Sequence, residues 1–233
     1  IYLVISAVFI GCTPILSIGA STQDVYHFHD TDKNISLLDV SAIFGSYDGS
    51  FVLYDNHLDS WKIYNLEEAN KRIPPESTYK IYDALLGLES GIITPEHSSM
   101  TWNGDAFPFP SWEADQDLNS AMQNSVNWYF QAIDSQLGIN RVQEFLNKIE
   151  YGNQTTSSNL DLYWSDFSLK ISPLEQVTLL KKFNTNEFHL NFQNVFSVKN
   201  AIKIASTPNG NFYGKTGTGR VNGQDINGWF IGY

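Results

Sequence analysis

Pro75-Glu76-Ser77-Thr78-Tyr79-Lys80, read together with Lys215-Thr216-Gly217 far downstream, decides how the rest of the chain is understood. A serine and a lysine three residues apart at the start of a helix share one face, one turn from each other. A serine hydroxyl is a weak nucleophile until a base removes its proton, and an adjacent lysine is able to do so. Ile81 and Ala84 follow Lys80 and turn it toward an apolar interior. Burial disfavours the ammonium form and lowers its pKa, which a base requires. The start of the helix adds N–H groups and a positive field near Ser77, suited to a developing oxyanion. Alone the pattern is weak: Ser77 serves equally well as a helix cap and Lys80 as a surface lysine.

Two further motifs follow in order. Ser125-Val126-Asn127 falls within an expected helix over 116–133, whose apolar face is Leu118, Met122, Val126 and Tyr129. A second hydroxyl placed between two lysines can relay a proton to a leaving nitrogen. By itself the tripeptide reads as two polar residues on an exposed helix face. Lys215-Thr216-Gly217-Thr218-Gly219 lies on an expected strand over 211–218. There Lys215 and Gly217 face one way, Thr216 and Thr218 the other. Lys215 offers charge to a substrate carboxylate, and Gly217 lets a substrate approach the backbone and add to the strand edge.

Around these motifs the pattern is α+β. A hairpin is expected from strands over 49–55 and 61–65, and helices over 77–90, 142–149 and 172–183. A last strand over 229–233 follows a turn at Asn222-Gly223. Strands at both ends with helices between them imply an antiparallel sheet flanked by helices, with a helical subdomain.

Composition narrows the function classes. The chain has 233 residues, a formal net charge of −11 and 17% charged residues. That charge excludes nucleic acid as a partner on electrostatic grounds. Cys12 is the only cysteine, so neither an internal disulfide nor a cysteine metal site is available. His27 and His29 lack a third ligand at useful spacing, and no metal is expected. Ile1 to Ala20 carries no charge, a length that just reaches a membrane span. Residues 1–22 therefore read as a membrane helix or a clipped signal segment, 23–40 as a linker and 41–233 as the functional domain. Such an anchor puts the domain outside the cell at the membrane, or secreted in the alternative.

With these residues in hand, the chain resembles the class D serine β-lactamase and β-lactam-sensor superfamily, from about Gly49 to Tyr233. The resemblance also rests on Trp102-Asn103-Gly104, Tyr151-Gly152-Asn153, Trp164, Leu169-Lys170-Ile171-Ser172 and Asn227-Gly228-Trp229-Phe230. It implies the serine β-lactamase and penicillin-binding-protein fold, with Ser77 acylated by β-lactam antibiotics and Lys80 as base. It implies Ser125 as proton relay, and Lys215, Thr216, Gly217 and Thr218 as the substrate-binding strand. The Ser77 and Thr218 amides would form the oxyanion hole. No cofactor is implied beyond carbon dioxide, which carboxylates the lysine in this family.

Two departures point to the sensor branch, the extracellular domain of BlaR/MecR-type signal transducers. Where the hydrolases usually carry valine, this chain has Asn127, whose amide can hold Lys80 and stall deacylation. Where they usually show Trp-Leu-Glu-Gly, it has Trp164-Ser165-Asp166-Phe167, keeping the indole that contacts the lysine. The resemblance also implies a strand and helix after Tyr233. The expectation is thus a C-terminally truncated domain with an unpaired sheet edge. The expected function is a long-lived acyl-enzyme that signals across the membrane to induce resistance; a class D hydrolase is the alternative.

Overall fold

The computed structural model describes the backbone of residues 3–10 and all of residues 34–233. Its centre is a seven-stranded sheet in the order β2-β4-β3-β1-β7-β6-β5. β3 (Asp48–Asp55) and β4 (Ser60–Tyr64) form the expected hairpin. Its turn is fixed by Asp55, whose carboxylate accepts the amides of His57 and Leu58. β6 (Gly210–Val221) and β7 (Gln224–Gly232) form the second hairpin. Asn222 and Gly223 sit at its tip with φ of 50° and 79°, as a two-residue turn matched to strand twist needs. β5 (Lys203–Thr207) flanks β6 at its first residues only.

Two expectations are corrected at the N-terminal side. Leu3–Ile10 is not helical: its backbone is β1, antiparallel to both β3 and β7. A charge-free, mostly apolar run is the pattern of a central strand as much as of a membrane helix, and periodicity does not separate them. The rest of the proposed segment over 1–22, with Cys12, and the His27–His29 pair lie outside the described residues. Likewise 23–40 is not all linker, since β2 (Asn34–Leu37) pairs in parallel with β4. β7 is paired on both sides, by β1 and β6. Among the described residues no helix is long and apolar enough to cross a membrane.

The helices divide between the sheet face and a helical region. After α1 (Ser41–Phe44) and α2 (Leu66–Asn70) comes α3 (Lys80–Glu89), which is buried from Lys80 to Leu88. A helix enclosed on all sides belongs in the core. α4 (Leu118–Gln123), α5 (Asn127–Leu137) and α6 (Ile139–Ile149) form the helical region. α7 (Pro173–Thr185) lies on the sheet against β1, β3 and β7. Ser172 and Glu175 make its capping box, with Pro173 opening the first turn. Glu175 also takes Arg72 on its carboxylate, joining this helix to the segment before Ser77. α8 (Phe192–Ala201) completes the set.

Candidate active site

The sheet and α3 meet at the residues before Ser77. The expected helix over 77–90 begins instead as a 3-10 turn, Glu76–Tyr79, that runs into α3 at Lys80. Three bonds fix this turn. Glu76 donates its amide to the Trp164 carbonyl (3.1 Å), and Thr78 donates its hydroxyl to the Pro75 carbonyl (2.6 Å). The Trp229 indole N–H on β7 donates to the Pro74 carbonyl (2.8 Å). Glu76 has a φ of 51°, a left-handed conformation costly for a residue with a side chain. Such strain is held by the surrounding packing and gathers at functional sites.

Lys80 is fully buried. Its Nζ donates to Ser77 Oγ at 2.8 Å and to Asn127 Oδ1 at 2.6 Å. Ring faces of Phe130 and Trp164 stand 5.7 and 5.8 Å from it. Burial, and then the nearby charge of Lys215, push the Lys80 pKa well below that of a free lysine. Trp164 thus stands beside Lys80 with its ring face, not its indole N–H, turned to the amine.

Ser125 corrects the expected continuous helix over 116–133. The helix stops at Gln123, and Ser125 lies in the break before α5 with φ of 56°. Its amide bonds to the Met122 carbonyl and that of Val126 to Ala121. These are the two bonds of a Schellman ending, with serine where glycine usually sits. The break turns Ser125 Oγ to Lys215, whose Nζ donates to it at 3.0 Å and to the Thr216 carbonyl at 2.9 Å. Asn127 then opens α5 and faces Lys80. Burial brings the Lys215 pKa down to about 8.

On β6, Lys215, Gly217 and Gly219 are buried, while Thr216 and Thr218 are exposed, as the alternation predicts. A Cβ at Gly217 would stand 3.1 Å from the Pro75 carbonyl oxygen and 3.2 Å from Ser77 N. The glycine therefore allows the strand to press onto the turn that carries Ser77. Arg220 pairs with Asp225 on the surface, at 2.7 Å. Tyr151-Gly152-Asn153 is structural: Asn153 exchanges hydrogen bonds with Lys170 and donates to the Ser168 carbonyl.

Sequence reading missed one group here. Asp83 and Asp134 are both buried, on α3 and α5, with Tyr163 donating to Asp134 at 3.4 Å. Burial, and for Asp83 the neighbouring Asp134, raise both carboxyl pKa values. Asp83 lies one turn past Lys80 within an otherwise apolar stretch, the available signal.

A serine bonded to a buried lysine, a second serine bonded to a second lysine and a glycine-bearing strand come together in an α+β penicillin-recognising fold. The chain belongs to the penicillin binding protein transpeptidase domain family, whose pattern matches residues 46–233. It is 44% identical to the regulatory protein BlaR1 of Bacillus licheniformis over 99% of its length, covering 38% of that protein. It is 35% identical to the probable β-lactamase YbxI of Bacillus subtilis, covering 80% of it. Among solved structures, the C-terminal domain of the Bacillus licheniformis BlaR penicillin-receptor superposes with a TM-score of 0.80. That pair shares 42% identity, over 86% of this chain and 87% of the receptor domain. A class D β-lactamase from Bacillus subtilis gives 0.75 at 32% identity, over 83% and 88%. The chain thus spans well under half the length of the regulatory relatives it matches.

Proposed function

We propose that this chain is the β-lactam-binding sensor domain of a signal transducer, acylated at Ser77 and slow to release the acyl group. The carrying observation is Lys80 Nζ held between Ser77 Oγ and Asn127 Oδ1. Neutral Lys80 takes the Ser77 proton as Oγ bonds to the lactam carbonyl carbon. The C–N bond breaks, and Ser125 passes a proton to the leaving nitrogen, regaining one from Lys215. The Ser77 and Thr218 amides receive the oxyanion, Lys215 supplies charge for the substrate carboxylate, and Thr216 and Thr218 present the exposed face of the binding strand. Once acylated, Lys80 remains held by Asn127 as an ammonium, and no free base is left to activate water. In the whole protein the domain lies outside the membrane and the event passes through a membrane segment to induce resistance.

The class D hydrolase is the second reading, favoured by the aromatic pocket of Phe130 and Trp164 around Lys80. There carbon dioxide would convert the lysine to a carbamate, an acceptor that Asn127 Oδ1 opposes. Intact-mass measurement with benzylpenicillin separates the readings. One stable adduct per chain, absent in Ser77→Ala, is expected; sustained turnover would establish the hydrolase, and no adduct would end both.

A further inference from the structure

Glu76 is a carboxyl group that the acylation scheme above does not use, yet it is 5% exposed and precedes the nucleophile directly. Its backbone is left-handed, and its side chain lies against β6 at Gly217 and Gly219. Two glycines make room for it. A Cβ at Gly217 would lie 3.1 Å from Glu76 Cβ, and one at Gly219 would lie 2.6 Å from Glu76 Oε1 and 1.9 Å from Asn227 Oδ1. Both oxygens crowd the same face of Gly219. Asn227 Oδ1 is buried and accepts no hydrogen bond. A buried acceptor left unpaired is destabilising, and a neighbouring carboxyl that keeps its proton relieves it.

We infer that Glu76 works as a protonated carboxylic acid, donating to Asn227 Oδ1 and so locking the nucleophile turn onto β6 and β7 in its acylation-ready form. Burial supports this by raising the Glu76 pKa to about 7, opposed by the charge of Lys80 and by hydrogen bonding from Asn227. The surrounding groups leave little else to set it. α3 contributes Lys80, and β7 the neutral amide of Asn227. From the loop at Trp164 comes only a carbonyl, which the Glu76 amide occupies. On β6, Lys215 is bound to Ser125 and Thr216, and Arg220 to Asp225.

Ionisation acts against acylation in two ways. It places negative charge behind the Ser77 and Thr218 amides, where the oxyanion must develop, and it favours the ammonium form of Lys80 over the base. Glu76 is therefore a positioning residue, and the reading rests on acylation of Ser77.

The test is the single-turnover rate of acylation by a fluorescein-labelled penicillin across pH 5.5–8.5. It is run on the full chain and on Glu76→Gln, whose amide keeps a donor for Asn227. The native rate should fall with a midpoint near 7, losing about tenfold one unit above it, while Glu76→Gln lacks this limb. Infrared difference spectra of the native chain provide a readout free of acylation and of any variant. A protonated-carboxyl band that disappears near pH 7 is expected. A native profile without the falling limb, the same limb in Glu76→Gln, or a glutamate already ionised at pH 5.5 would overturn the inference. A titrating band in a protein that forms no adduct would instead remove the acylation reading while leaving the buried acid in place.

Discussion

At the scale of single residues, the proposed trapping turns on Asn127, which accepts from Lys80 at 2.6 Å. Its side-chain oxygen accepts from an amine, and a hydrogen bond to a charged group contributes on the order of 1.5–3 kcal/mol. Asn127→Val removes that hold, and acyl-enzyme release should rise about tenfold or more, measured as loss of label from the modified protein. An unchanged lifetime would place the block elsewhere. Lys215 predicts a pH effect. Its pKa of about 8 belongs to a buried ammonium that loses its charge as pH rises through that value. Binding of a carboxylate-bearing β-lactam should accordingly weaken above pH 8, seen as a rising half-saturation concentration in acylation kinetics. An analogue with an esterified carboxylate should show no such rise.

The proximity of the motif residues is legible where it is local. Ser77 and Lys80 share a turn, and Lys215 to Thr218 share a strand. Asp83 and Asp134 are not legible, because their partnership depends on two helices packing together and acids usually signal a solvated face. Glu76 is not legible for the same reason: only the approach of Gly217 and Gly219 encloses it.

At the scale of elements, the break between α4 and α5 illustrates what a continuous apolar period hides. Leu118, Met122, Val126 and Tyr129 keep helical spacing across it, so the period carries no mark of the interruption at Ser125. Ser125→Gly should relieve the left-handed backbone and stabilise the domain by up to about 1 kcal/mol in a denaturant titration. The same variant loses the hydroxyl bound to Lys215 and should acylate more slowly. Those opposite signs distinguish a proton relay from a residue that merely ends a helix. Gly152 is the reverse case. It has φ of 51°, and a Cβ there would lie 2.0 Å from the Lys170 carbonyl oxygen. Gly152→Ala should destabilise by more than about 2 kcal/mol, a steric and backbone penalty together. A shift in denaturation midpoint below that range would mean the 151–154 turn relaxes freely. β1 shows the matching limit for strands: a mostly apolar, uncharged run is read correctly only once its neighbours β3 and β7 are known.

At the scale of the whole molecule, the buried carboxyls of Asp83 and Asp134 link stability to pH. Their folded pKa values are raised, so the folded state keeps protons that the unfolded chain releases above about 4. Their contribution is most favourable below that pH and declines as pH rises toward the folded values. Asp134→Asn preserves an acceptor for Tyr163 and removes one ionisation. Its gain in melting temperature over the native protein should be larger at pH 8 than at pH 4. Equal gains at the two pH values would show that the acid is not held neutral.

Trp229 occupies a strand that crosses the middle of the sheet, yet its indole is tied to the carbonyl of Pro74, three residues short of the nucleophile. Any drug that displaces that turn must stretch or break this tether, changing the electronic surroundings of a shielded chromophore. A fluorine label on this ring would give a resonance that registers antibiotic capture from the protein's interior, with no probe attached to the cleft itself.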